Sequence, residues 1–274
     1  MVKYSYNTLV YAGEDIETSI ARLSKFGYDG VEFVGEPAKM DAGLIKELLK
    51  KYSISASTIC AIYNAERDLV SSDRQIRKHA VDYIKKCVDF ANIIGAHGIS
   101  LTPTACMKIY PETDRETEYA WAVEGIRESG IYAGEKGVRL TVEPWNRYEN
   151  YLINKLEQSL ELINRVNLPN VGCMGDTYHM NIEETDIADA IRMAGEKLYH
   201  LHIADSNRAA PGRGHIDFEP IAQALKDINY SGYLTMELLP PFADPFNGTR
   251  CEEFYDQYTE ESILFLKRLF KEEA

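Results

Sequence analysis

The stretch Leu140-Thr141-Val142-Glu143-Pro144 decides the fold: it is a short apolar run that stops on one carboxylate. Side chains alternate along a strand, so Thr141 and Glu143 fall on one face. The pattern returns three times towards the C-terminus, in Gly172-Cys173-Met174-Gly175-Asp176, His200-Leu201-His202-Ile203-Ala204-Asp205 and Leu234-Thr235-Met236-Glu237-Leu238. His200 and His202 share a face, as do Thr235 and Glu237. Such repetition points to parallel strands whose C-terminal ends meet at one place.

Working outward, the chain supplies the other units. Strands are predicted over residues 4–10, 30–34, 55–62, 98–102, 138–144, 171–176, 199–204 and 233–238. Helical periodicity fills the gaps, over 15–25, 41–51, 72–94, 113–135, 155–166, 186–194, 218–228 and 252–270. Eight strands, each followed by a helix with no break in composition, predict one α/β domain over residues 1–274, a closed (β/α)8 TIM barrel. The length, 274 residues, sits close to the roughly 250 typical of that fold. An open doubly wound sheet fits less well. Such a sheet builds its site on a Gly-rich loop near the N-terminus, and the Gly-rich piece here, Pro211-Gly212-Arg213-Gly214, lies far from it.

Composition narrows the function. Apolar residues make up 45% of the chain and charged residues 27%, an ordinary globular mixture. Five cysteines without a C-x-x-C pair argue for reduced thiols, and the N-terminus carries no apolar core behind a basic start. Both features predict a cytoplasmic protein, in which the sequon Asn247-Gly248-Thr249 has no role. No run approaches the ~18 apolar residues of a membrane span. The net charge of −13 repels phosphate backbones and anionic bilayers, so neither nucleic acid nor membrane is an expected partner.

In a (β/α)8 barrel the active site forms where the strands end, so Glu143, Asp176, His202 and Glu237 are expected to converge. Three carboxylates and one imidazole suit one divalent cation, Mn²⁺ ahead of Co²⁺ or Mg²⁺, better than a structural zinc. The cation would also offset the repulsion among buried acids. Each residue alone has a plainer reading, since an acid at a strand end commonly caps the next helix. His200 is read that way, as a packed imidazole. Four such residues at one height on consecutive strands outweigh the separate readings.

Longer stretches around these residues carry a resemblance. They are Val142-Glu143-Pro144-Trp145-Asn146-Arg147-Tyr148-Glu149, Gly175-Asp176-Thr177-Tyr178-His179-Met180-Asn181 and His200-Leu201-His202-Ile203-Ala204-Asp205-Ser206-Asn207-Arg208. Pro211-Gly212-Arg213-Gly214-His215-Ile216-Asp217-Phe218 and Tyr230-Ser231-Gly232-Tyr233, with Met236-Glu237, complete the set. The chain resembles the xylose-isomerase-like barrel superfamily of sugar phosphate isomerases and epimerases. Within it, the motifs are similar to those of the D-tagatose 3-epimerase and D-psicose (allulose) 3-epimerase family. The resemblance implies that Glu143, Asp176, His202 and Glu237 are the metal ligands. It implies that Glu143 and Glu237 are also the paired acid/base carboxylates, and that Glu149, His179 and Arg208 hold the O1–O3 end of a sugar. The implied reaction is C3 epimerisation of a ketose: one glutamate removes the C3 proton, the metal and Arg208 stabilise an enediolate, and the other glutamate returns a proton to the opposite face. A homo-oligomer, dimer or tetramer, is implied as well, with helix 252–270 as a contact.

Other readings share this machinery. The same proton abstraction would serve β-elimination, as in a C-glycoside deglycosidase catalytic subunit, which would imply a hetero-complex, or an inosose dehydratase. Hydroxypyruvate isomerase is a further variant. An endonuclease of the same superfamily needs more histidine and a basic surface, while a non-catalytic sugar-binding subunit would be expected to have lost a ligand or base. The chain departs from the epimerases in places: residues 101–107 lack the Trp expected in the aromatic wall of the pocket, and the bulky Pro144-Trp145 follows the first ligand. Tyr4, Tyr6, Tyr11 and Tyr63 are the candidates to replace it. Residues 239–246, rich in Pro and Phe, are read as a lid, a subunit contact or a solvated loop.

Overall fold

Eight parallel strands pair in chain order: β1 (Lys3–Asn7), β2 (Gly30–Val34), β3 (Ser55–Ala61), β4 (Gly98–Leu101), β5 (Arg139–Val142), β6 (Val171–Asp176), β7 (Leu198–Ile203) and β8 (Tyr233–Met236). β1 also pairs with β8, which closes the barrel. The structure, a computed structural model, describes residues 2–241 and 251–271. The sequon and most of the loop at 239–246 lie outside these residues.

Nine helices among the described residues surround the barrel: α1 (Ile16–Phe26), α2 (Ala42–Lys51), α3 (Arg74–Ile94), α4 (Arg115–Glu135), α5 (Leu156–Val166), α6 (Thr177–Glu183), α7 (Ile187–Ala194), α8 (Phe218–Asp227) and α9 (Glu252–Phe270). Acidic N-caps start most of them. Asp15, Asp41, Asp73, Asp114, Asp186 and Asp217 each accept a backbone N–H from the first turn. Two elements differ from expectation. β1 ends at Asn7, not residue 10, because the Asn7 carboxamide accepts from Leu9 N–H and starts a 3-10 turn over Thr8–Tyr11. The short α6 is an addition: its sequence has no apolar stripe, and the helix rests on Asp176 as its cap.

Alternation along the strands sorts two environments. Val31, Phe33, Ile59, Ile99, Leu140, Val142, Leu201, Ile203, Leu234 and Met236 are buried in the apolar core. The interior of the barrel is polar instead. Contacts between non-adjacent strands identify it: Ser5 Oγ lies 2.6 Å from Ser57 Oγ, Thr58 Oγ1 3.3 Å from His200 Nε2, and Glu32 Oε2 2.8 Å from His202 Nε2. Because Ser5 and Asn7 face inward, Tyr4 and Tyr6 of the same strand face the helices. Tyr6 stacks on Tyr11 at 4.9 Å, and the Tyr11 hydroxyl bonds Thr259 of α9. Tyr63 is fully buried, edge-on to Tyr83 of α3. The expectation that these tyrosines form a pocket wall is therefore corrected for Tyr4, Tyr6 and Tyr11, which anchor the helical layer.

Candidate metal centre and catalytic site

The ends of β5 to β8 bring Glu143, Asp176, His202 and Glu237 together. One donor atom from each lies within 4.8 Å of the others, and all four residues are buried. Three of these groups present an atom with no hydrogen-bond partner: Glu143 Oε1, Asp176 Oδ2 and His202 Nδ1. His202 Nδ1 is 3.5 Å from Glu143 Oε1 and 3.4 Å from Glu237 Oε2. Buried polar atoms without partners are costly, and three of them aimed at one point fit a bound cation. Asp176 satisfies both of its readings at once. Its Oδ1 caps α6 by accepting Tyr178 N–H at 2.8 Å, which leaves Oδ2 free for the centre.

The electrostatics fit a missing positive charge. Burial, reinforced by Glu237 and Glu143 and opposed by Arg208, pushes the Asp176 carboxyl up to about 7. Burial also works against a charged His202, but Glu32, Glu237 and Glu143 around it hold its pKa well above the usual imidazole range. Without another cation, the cluster retains protons to survive its own repulsion.

Glu32 of β2 was not singled out from the sequence, and it organises the site. It is fully buried, and four groups point at its two oxygens. Asn7 Nδ2 (2.9 Å) and His202 Nε2 (2.8 Å) reach Oε2, while Thr58 Oγ1 (2.5 Å) and His200 Nε2 (3.2 Å) reach Oε1. Burial opposes its charge, yet the His202 and His200 rings hold its pKa far below the carboxylate range. A carboxylate accepting from Nε2 fixes the ring and leaves Nδ1 as the free donor towards the centre. Glu32, His200 and His202 are themselves a donor cluster. Its carboxylate is already fully engaged, however, so the Glu143 group is the better cation site. His200 is the packed imidazole it was read to be.

The three residues matched to a sugar's O1–O3 end also sit together. His179, on α6, is buried, and its Nδ1 faces both Asn146 N–H (3.2 Å) and Asn146 Nδ2 (2.8 Å). Acceptance at Nδ1 places the ring proton on Nε2, which lies 3.6 Å from Asp176 Oδ2. Burial, with Arg208 and His202 nearby, keeps His179 neutral by lowering its pKa. Trp145 stacks on the ring at 5.5 Å. The second proton of Asn146 Nδ2 goes to Glu149 Oε1 at 2.8 Å, so this one amide orients both residues. Arg208 Nη2 donates to Glu237 Oε2 at 2.6 Å and lies 3.7 Å from Asp176 Oδ2. Its guanidinium packs on Tyr178.

Arg208 takes a left-handed backbone, φ 60°, which a non-glycine residue holds only where its surroundings impose it. Here they do. Arg208 N–H donates to Asp205 O (2.8 Å) and its carbonyl accepts Leu239 N–H (2.7 Å). The Asp205 carboxylate then gathers the loop by accepting the N–H groups of Ser206, Gly212 and Ile216. Gly214 must lack a side chain, since a Cβ there would stand 2.2 Å from Asp205 Oδ1. The Pro211–His215 motif thus serves to wrap Asp205 and aim Arg208.

Comparison with known proteins follows the same lines. The family model described as xylose isomerase-like TIM barrel matches residues 20–269. A D-psicose 3-epimerase from Ruminiclostridium cellulolyticum is 36% identical over 231 residues, covering 81% of this chain and 78% of its own. An L-ribulose 3-epimerase from Methylomonas sp. (strain DH-1) is 31% identical over 241 residues, 86% of this chain and 84% of its own. The crystal structure of a D-allulose 3-epimerase from Methylomonas sp. in complex with D-allulose has a TM-score of 0.89 at 29% identity, covering 97% of this chain and 96% of that one. With the closed barrel and its strand-end residues in place, the chain belongs to the xylose isomerase-like TIM barrel family.

Proposed function

We propose that this chain is a divalent-metal-dependent isomerase that epimerises a ketose at C3, with Glu143, Asp176, His202 and Glu237 as metal ligands. The observation that carries the reading is the convergence of four buried donors, two of them glutamates and three with an unpartnered atom, beside a fixed arginine. The named activities of the relatives support the substrate class. Mn²⁺ is placed first, since three oxygens and one nitrogen suit it.

When bound, the ion supplies Lewis-acid polarisation of a carbonyl and an adjacent hydroxyl. The protein does the rest. Glu143 and Glu237 follow β5 and β8, the outer two of the four strands that supply the cluster, and in this reading one takes the C3 proton while the other delivers a proton to the opposite face. Arg208, aimed at Glu237 and Asp176, stabilises the negative charge that develops on the substrate oxygens. His179 offers its Nε2 proton and Glu149 a carboxylate to hydroxyls at the O1–O3 end. Burial of the four donors and His179 limits the water that would otherwise compete for the transferred proton.

The test is incubation of the Mn²⁺-loaded protein with ketohexoses, 2-keto-inositols and 3-keto-glycosides in D₂O. The expected result is deuterium at C3 of a ketohexose together with its C3 epimer, abolished by Glu143→Gln and by Glu237→Gln. Turnover that survives both substitutions removes the two glutamates from their roles. Loss of a leaving group without epimer formation would move the same site to β-elimination. Native mass spectrometry tests the accompanying expectation of a homodimer or homotetramer.

A further inference from the structure

A cavity opens at the end of the barrel opposite the metal centre, lined by the starts of the strands. It encloses about 800 Å³. Barrels of this type usually fill that space with layers of bulky branched side chains. Here Ser57, Thr58, Thr141 and His200 line the inner part instead. The depth of the cavity is therefore a consequence of the polar interior.

Lys3 and Arg139 stand at its rim, and alternation places both on the inward face. Lys3 precedes inward-facing Ser5 by two residues, and Arg139 precedes inward-facing Thr141 by two. The register sets Lys3 beside Tyr233 and Arg139 beside Gly98, which has no side chain to fill the space. The Lys3 ammonium lies 5.4 Å from the Tyr233 ring centre and the Arg139 guanidinium 4.8 Å from that of Tyr199. The rings locate the two cations without engaging their N–H donors in strong bonds. Lys197 completes the positive side, the His97 ring lies in the same lining, and Glu196 is the one carboxylate there. Burial, then the charges of Lys3 and Arg139, lowers the pKa of His97, so these cations act on a common space. Among the described residues no ion pair joins Lys3, Arg139 or Lys197 to a carboxylate. In a chain of net charge −13, this concave surface is locally positive against the overall field.

We infer that this cavity binds a small phosphate-bearing anion. Arg139 supplies the planar paired donors, and Lys3 and Lys197 supply point charges. The inference is independent of the ketose reading, because the two mouths of the barrel share no proposed ligand residue. The test is calorimetric titration of inorganic phosphate into the metal-loaded protein at low ionic strength. Expected is saturable binding at one site per chain, weakened at least tenfold by Arg139→Gln and by Lys3→Gln. Both residues are solvent-exposed, so each variant should keep its melting temperature. Lys78→Gln, an exposed cation on α3 away from the cavity, should bind as the parent does, and so should Asp176→Ala. No saturable binding overturns the inference. So does binding that survives both cavity substitutions, or that disappears with Asp176→Ala and so belongs to the other mouth.

Discussion

Replacing Glu32 separates a metal-orienting role from a merely structural one. Glutamine keeps the shape of the side chain but turns one acceptor into a donor. If its nitrogen faced Asn7 Nδ2 and His202 Nε2, three donors would meet in a buried space. If it faces Thr58 and His200 instead, both partners can switch to accepting, so the amide oxygen should stay on His202. Glu32→Gln therefore loses the charge behind His202 while keeping its orientation. Loss of such an outer partner typically weakens metal binding by about 10–100-fold. That range corresponds to about 1.4–2.7 kcal/mol. Glu32→Ala goes further, since His202 Nε2 is left buried without an acceptor, at about 1–3 kcal/mol, while Asn7 Nδ2 keeps its bond to Glu237 Oε1 at 3.0 Å. Titration calorimetry with Mn²⁺ gives the affinity, and melting of the metal-free protein gives the stability. The expected order of affinity is parent, then Gln, then Ala, with the metal-free Gln variant losing much less stability than the Ala variant. If Glu32→Gln melts lower but binds Mn²⁺ as tightly as the parent, Glu32 only holds the barrel together and the orienting argument is refuted.

Three further outcomes follow from the same contacts. Asp176, pushed up to about 7, and His202, held above its usual range, both bear raised pKa values, so their contribution to stability is full at low pH and fades as pH rises through those values. Glu32, held low, changes nothing until far more acidic conditions. The melting-temperature gain from Mn²⁺ should thus be larger at pH 8 than at pH 5.5, and a constant gain would contradict the electrostatic account. Glu118 of α4 is buried and accepts from Glu112 N–H (2.6 Å), Thr113 N–H (2.7 Å) and the Tyr151 hydroxyl. Glu118→Ala should destabilise the fold by roughly 2–4 kcal/mol in denaturant titrations, with Mn²⁺ affinity unchanged. Gly214→Ala should displace the Asp205 loop and with it Arg208, lowering kcat/KM at least tenfold (about 1.4 kcal/mol) while metal binding persists.

The strand-end acids were legible because each one closes a contiguous apolar run, and local order along a strand survives folding. The barrel itself was legible from the same repetition. Glu32 was not, since Gly30-Val31-Glu32-Phe33-Val34 reads equally well as a strand carrying one solvated acid. Its partners lie 168 and 170 residues away at His200 and His202, and only barrel closure brings them near. The tyrosine error has a nearer cause. β1 alternates as β5, β7 and β8 do, but its inward positions belong to Ser5 and Asn7, which sends Tyr4 and Tyr6 to the helices. Asn146 lay within a quoted motif, yet its work depends on His179 and Glu149 meeting one carboxamide, which no spacing rule reveals.

The polar interior explains how one barrel can hold a rigid site at one end and an open cavity at the other. Apolar packing has moved outward, to the interface of strands and helices, where Phe33, Ile59, Leu140 and Leu201 are fully buried. Inside, rigidity comes from bonds that cross the barrel: Ser5 to Ser57, Thr58 to His200, and Glu32 to both imidazoles of β7. A directional network can fix a few atoms without filling the volume around them, which branched side chains cannot do. Its members must then be satisfied almost completely, and Glu32 is, with four groups on its two oxygens. Where the strands end, Glu143, Asp176 and His202 each keep one atom unpartnered and turned to a common point. Rigidity without filling, and donor atoms left open at one shared point, are the two properties a metal-dependent proton-transfer site demands of its scaffold.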